Sequence, residues 1–214
     1  MSDVSFTKRI TLGRCICIIT GASKGFGRAL AHEVSCLLSA GSVLVLVART
    51  GTLLQELKEK LQSNTKKQRV LVHCVTADLS TKDGVNKTVM VAKQECVKEI
   101  DHVLLINNAA SLGDIYRFTR TFTDPDEALP SWVLYCTAKA ARSMMFSVLA
   151  KEEPNVKVLS YSPGPMDTEM QKEVQRLSGI KHDLLPCQES AAKLMKVLLG
   201  NDFQSGANLD FFDV

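Results

Sequence analysis

Tyr135 and Lys139 stand four residues apart in Tyr135-Cys-Thr-Ala-Lys139. On a helix that spacing puts the phenol and the ammonium on one face, so the positive charge favours the tyrosinate and makes Tyr135 a better proton donor at neutral pH. Such a donor suits a carbonyl oxygen that takes up a proton as hydride reaches its carbon. Lys139 would also hold the ribose beside the hydride source. Taken alone, Tyr-x-x-x-Lys is common on surface helices, and its meaning depends on what else the chain carries.

The second motif is Thr20-Gly-Ala-Ser-Lys-Gly-Phe-Gly27, between an apolar run at 15–20 and a helical segment at 27–39. There, backbone N–H groups and the helix dipole favour a pyrophosphate, so Gly21, Ala22, Ser23, Lys24, Gly25, Phe26 and Gly27 are candidate cofactor ligands. An ordinary strand-to-helix turn is the plainer reading of a glycine cluster. Its place after the first strand of a βαβ unit favours the dinucleotide. An acidic residue ending the second strand would take the ribose hydroxyl of NAD, and a basic one would accept a 2′-phosphate. Here that residue is Arg49, with Lys24 a second cation, so NADP(H) is preferred over NAD(H), two solvated cations being the alternative. Asp78 and Leu79 follow the third strand, where Asp78 either contacts the adenine or caps the next helix. Asn107, in Asn107-Asn108-Ala109, is placed to close the cofactor site.

These residues need a scaffold, and the hydrophobic pattern supplies one. Short β-branched runs at 15–20, 42–48, 70–76 and 102–107 alternate with helical periodicity at 27–39, 53–62 and 82–98, which predicts an α/β protein with a Rossmann-type, doubly wound parallel sheet. After Asn107 the alternation fails. Residues 109–130 contain Gly113, Asp124-Pro125-Asp126 and Pro130 and read as a long loop, with 116–123 at most an edge strand. Order returns with a helix at 131–151, a strand at 156–160, the turn Ser162-Pro-Gly-Pro165, a helix at 189–199 and a strand at 207–212.

With 214 residues, 45% hydrophobic and 23% charged, the chain has the make-up of one globular domain spanning 1–214. A net charge of +3, spread along the sequence, argues against nucleic-acid or polybasic membrane binding. Lys66-Lys67-Gln68-Arg69 reads as a solvated loop. Seven cysteines without paired ligand spacing point to reduced thiols and no metal site, and Cys15 and Cys17 alternate onto one face of a buried strand. No stretch approaches the ~18–20 apolar residues of a membrane span. Cytoplasm is the expected compartment.

Several stretches carry a wider likeness: Thr20-Gly-Ala-Ser-Lys-Gly-Phe-Gly-Arg28, Leu105-Ile-Asn-Asn-Ala109, Leu134-Tyr-Cys-Thr-Ala-Lys-Ala-Ala-Arg142, Pro163-Gly-Pro-Met-Asp-Thr168 and Ser205-Gly-Ala-Asn-Leu-Asp-Phe211. On these the chain resembles the short-chain dehydrogenase/reductase family, and within it the NADPH-dependent pterin reductases of tetrahydrobiopterin synthesis. The resemblance implies that Thr50, Met166, Asp167, Thr168, Glu169, Met170 and Gln171 join the glycine loop, Arg49, Asp78, Leu79 and Lys139 in binding NADP(H). It implies Tyr135 as the proton donor against the substrate, Gly164 beside the substrate, and Asp210 as anchor of the pterin ring. A carboxylate suits that anchor, because it accepts hydrogen bonds from the amino and ring N–H groups of a pterin.

The resemblance also exposes a departure. Family members have a long helix and a further central strand between the Asn-Asn-Ala segment and the Tyr, and that strand ends in a catalytic Ser; this chain has no match for either. Ser131, four residues before Tyr135, is a poor replacement, and the family's proton-relay Asn is absent too. Removing a central strand leaves a gap of about 10 Å between its neighbours. The missing helix forms much of the family's homodimer interface. Two alternatives therefore stand beside a pterin reductase: a catalytically impaired NADP-binding or heterodimerising protein, and a reductase of another small carbonyl compound.

Overall fold

Val43-Leu-Val-Leu-Val-Ala48 is apolar on both faces, as a strand covered by helices on each side must be. In the computed structural model, which describes residues 10–94, 99–111, 133–179, 181 and 183–214, all six of its residues are buried. It lies in the first of two compact units, which runs to Ala109 and takes in Leu198–Gly200. That unit alternates β1 (Cys15–Thr20), α1 (Gly25–Leu37), β2 (Val43–Ala48), α2 (Gly51–Gln68), β3 (Leu71–Thr76), α3 (Lys82–Gln94) and β4 (His102–Ile106). The strands form one parallel sheet in the order β3-β2-β1-β4. Ile19 of β1 pairs with Leu46 on one side and Ile106 on the other, so the strand ends are in register. The order reverses direction between β1 and β4, and in doubly wound sheets that switch point is where dinucleotides lie.

Helix burial follows the expected period. Leu54, Leu57 and Leu61 of α2 are fully buried at spacings of three and four, as are Leu30 and Val34 of α1, each such side chain stabilising by about 1.5–3 kcal/mol. α2 runs six residues past the predicted end, to Gln68, and corrects the reading of Lys66-Lys67-Gln68 as loop. Thr65 explains the extension: it is buried, and its hydroxyl donates to the Leu61 carbonyl at 3.1 Å. The two lysines then fall in the last turn, where cations complement the helix dipole. Arg69 ends the helix in the left-handed region, at φ 56°.

The second unit, Ala110–Val197 with Asn201–Val214, holds α4 (Val133–Glu152), β5 (Leu159–Ser162), α5 (Glu169–Ser178), α6 (Cys187–Gly200) and β6 (Ala207–Asp210). β5 and β6 form a parallel pair from Leu159 opposite Ala207 to Ser162 opposite Asp210. The strand predicted at 156–160 lies three residues later, because Val156 closes a turn by donating from its N–H to the Glu153 carbonyl. α5 was not foreseen. The predicted edge strand at 116–123 and Ser131 lie outside the described residues. No described helix is long and apolar enough to cross a membrane.

Candidate functional site

The glycine loop leaves β1 at Thr20 and enters α1 at Gly25. Gly21 sits at φ +67° and Gly25 at +50°, conformations that side chains disfavour. Gly27 is constrained by space: a Cβ there would lie 2.3 Å from the Gly21 carbonyl oxygen and 2.5 Å from Asn108 Nδ2. No acidic residue stands in the first turn of α1, and no side chain caps it. The positive end of the helix, with no acid beside it, suits a phosphate. Ala22, fully buried, donates to the Val47 carbonyl at 3.1 Å and ties the loop to β2.

Asn108 supports the loop from β4. Its amide donates to the carbonyls of Thr20 at 2.9 Å and Gly21 at 3.3 Å. Thr20 Oγ1 in turn accepts from the backbone N–H of Asn108 and of Ala109, both at 2.9 Å, and donates to the Ile106 carbonyl. The neighbouring Asn107 is exposed. The structuring residue is thus Asn108, one position after the one singled out in the sequence. An Asn doublet just past a strand is the only sequence signal for it.

Arg49 and Thr50 are exposed at the end of β2, and Asp78 follows β3. Asp78 Oδ1 accepts from the backbone N–H and the hydroxyl of Ser80, at 3.0 and 2.8 Å. Those bonds hold its carboxyl below the ordinary range, and the Arg49 charge lowers it further. The cap of α3 is Thr81, whose hydroxyl accepts from Gly84 N–H at 3.0 Å. Asp78 instead shapes the turn before it. The glycine cradle, the uncapped helix start and the exposed Arg49 fit a dinucleotide phosphate chain carrying an extra phosphate.

In the second unit, Tyr135 and Lys139 lie one turn apart on α4, with the ammonium 5.4 Å from the centre of the phenol ring. Burial pushes the Tyr135 pKa up, with Cys136 adding to it and the Arg142 charge pulling it down. The ammonium faces the π surface of the ring. Crowding around Lys139 lowers its pKa, and the like charge of Arg142 lowers it further.

The remaining candidates of this unit cluster around β5, β6 and α5. Gly164 sits at φ +74°, and a Cβ there would stand 3.0 Å from Leu185 Cδ1. Met166 bridges Leu185, and Asp167 pairs with Lys172 at 2.9 Å. Thr168 caps α5, its hydroxyl accepting from Gln171 N–H at 3.1 Å, which places Glu169, Met170 and Gln171 in the first turn. Asp210 ends β6, its Oδ1 accepting from Phe212 N–H at 3.0 Å.

Comparison with known proteins adds identity to this geometry. The family described as short chain dehydrogenase matches residues 15–128 and 123–178. Sepiapterin reductase of Rattus norvegicus is 36% identical over 260 positions, covering 95% of this chain and 98% of the relative. Sepiapterin reductase of Bos taurus is 37% identical, covering 94% and 96%. Levodione reductase shares the fold at a TM-score of 0.73 with 18% identity, covering 95% of this chain and 97% of that one. L-sorbose reductase from Gluconobacter frateurii, in a complex with NADPH and L-sorbose, does so at 0.68 with 19% identity and the same coverage. The 260 aligned positions exceed the 214 residues available here, so the rat protein carries several tens of residues without counterpart. The two family matches meet at 123–128, inside the interval where the strand and helix pattern lapses.

Proposed function

The chain belongs to the short chain dehydrogenase family of oxidoreductases, and from that premise we propose that it reduces a side-chain carbonyl of a pterin with NADPH. The observation that carries this reading is that Tyr135 and Lys139 stay one turn apart on α4 in a chain 36% identical to a sepiapterin reductase over 95% of its residues. When bound, NADPH supplies the hydride. The rest falls to side chains and backbone of this protein. Gly21 to Gly27 hold the pyrophosphate; Arg49, Thr50, Asp78, Leu79 and Asn107 serve the adenosine half, and Met166 to Gln171 the nicotinamide half. Lys139 holds the ribose, and Tyr135 gives its phenolic proton to the carbonyl oxygen as the carbon accepts hydride. Gly164 leaves room for the substrate, and Asp210 accepts hydrogen bonds from the pterin N–H groups. The proposal treats the chain as one NADP-binding reductase domain acting in the cytoplasm.

The test is NADPH consumption by the purified full-length chain supplied with sepiapterin, followed by loss of NADPH absorbance. Turnover is expected for the wild type and not for Tyr135→Phe, with NADPH binding equal in both. A wild-type chain that consumes none, beside an active longer relative, refutes the activity. It would instead support a second reading favoured by the missing block and the raised Tyr135 pKa: an NADP(H)-binding or heterodimerising protein without turnover. A reductase of another small carbonyl compound is separated by Asp210→Ala, which would then leave pterin kinetics unchanged.

A further inference from the structure

Asp210 ends β6, and the residue after it is gripped from two sides. Phe211 N–H donates to the Ser162 carbonyl at 2.8 Å, and the Phe211 carbonyl accepts from the Lys193 ammonium, also at 2.8 Å. The same ammonium lies 4.1 Å from the centre of the Phe211 ring. Phe211 is only 4% exposed, and a Cβ on Gly164 would stand 3.6 Å from its Cβ and Cδ1. Its ring therefore backs the Gly164 turn while its main chain fixes the end of β6. Lys193 reaches this point from α6, and one turn earlier the fully buried Ser190 donates to the Pro163 carbonyl at 2.9 Å. One helix thus holds both the turn with Gly164 and the strand end with Asp210.

A half-buried lysine that directs its ammonium at a main-chain carbonyl loses rotamer freedom to fix a backbone position. Among the described residues it has no carboxylate partner within salt-bridge distance. The carbonyl it holds lies between Asp210 and Phe212, the two residues joined by the Asp210 side-chain bond. Releasing it frees the direction of the carboxylate.

We infer that Lys193 is a positioning residue of the pterin subsite, setting the separation of Asp210 from Gly164 through its hold on Phe211. The inference rests on the reading of Asp210 as pterin anchor proposed above. It is tested by titrating sepiapterin into the full-length chain saturated with NADP+, comparing wild type, Lys193→Met, Lys193→Arg, Asp210→Ala and the double variant Lys193→Met with Asp210→Ala. Lys193→Met is expected to weaken sepiapterin binding about tenfold, the scale of one charge-assisted hydrogen bond. NADP+ affinity stays unchanged, and Lys193→Arg keeps most of the binding. The double variant binds no more weakly than Asp210→Ala alone, because Lys193 acts through that carboxylate. Wild-type binding by Lys193→Met beside weakened binding by Asp210→Ala overturns the role of Lys193 and leaves the anchor standing. Additive losses overturn it too. No effect of Asp210→Ala, or no binding by the wild type, refutes the anchor and with it the inference. Should Lys193→Met melt below the assay temperature, Lys193→Gln, still a donor to the carbonyl but uncharged, is expected to lose part of the affinity; wild-type affinity there overturns the inference.

Discussion

Gly27 tolerates no side chain, because the nearest atoms to a Cβ are backbone of Gly21 and the braced amide of Asn108. Gly27→Ala should cost about 1–3 kcal/mol of stability by overpacking and weaken NADPH binding at least tenfold; melting and fluorescence titration would show both, and intact NADPH affinity would sink the cradle. On α4, ordinary values are ~10 for tyrosine and ~10.4 for lysine, and the shifts run up for Tyr135 and down for Lys139. A raised tyrosine pKa means that the folded chain holds the proton more tightly, so that its stabilising contribution is complete below ~10 and lost as pH climbs past the folded value. The lowered lysine pKa works oppositely: its destabilising contribution at neutral pH fades as pH rises. The two shifts move loss of the Lys139 charge to lower pH and loss of the Tyr135 proton to higher pH, and the alkaline fall in kcat/KM is expected to follow the lysine. Lys139→Arg, charged throughout this range, should move that fall upward, and an unmoved limb would assign it elsewhere. Tyr135, Lys139 and the glycines were legible because spacing along one element decides their geometry. Asn108 was not, since its role depends on a carbonyl 88 positions away, and the pKa directions depend on burial that spacing does not encode.

At the scale of elements, periodicity located β1, β2 and α1 to within a few residues because each buries a continuous apolar face. α5 escaped it. Its buried share is small, and what starts it is a cap, Thr168-x-x-Gln171, followed by the bidentate pair of Arg176 with Glu173 at 2.6 and 2.8 Å. Thr168→Ala should therefore cost about 1 kcal/mol and be felt locally, as faster amide exchange across 169–172 with little change in β1 or β2. Uniform loss of protection would show that α5 is held by more than its cap. The offset of β5 has a similar origin. Val156 and Val158 look like strand, yet pairing with β6 begins only at Leu159, and a partner strand is not visible in local pattern.

For the molecule as a whole, the residues of the rat relative without counterpart here bear on the proposed activity. Val103 and Leu105 on β4 are exposed, as are Met144 and Met145 on α4, the last two at 66% and 56%. The rat relative aligns over more positions than this chain has residues, and the two family matches meet at 123–128. Loss of a carbonyl-orienting donor costs ~10²–10³ in rate, and a displacement near 1 Å of a reacting group costs ~10² more. The glycine loop, Arg49 and the Asn108 brace belong to an earlier stretch of chain, and the bonds from Asn108 to Thr20 and Gly21 and from Ala22 to Val47 lie within it. Inserting the rat protein's extra residues between Ala109 and Val133 should therefore raise kcat for sepiapterin at least ~10²-fold, by restoring the donor, while the Kd for NADPH barely changes. Stopped-flow turnover and fluorescence titration on the same preparation separate the two. Equal turnover with and without the insert would mean that Tyr135 and Lys139 suffice, and that the missing strand and serine are dispensable in this chain.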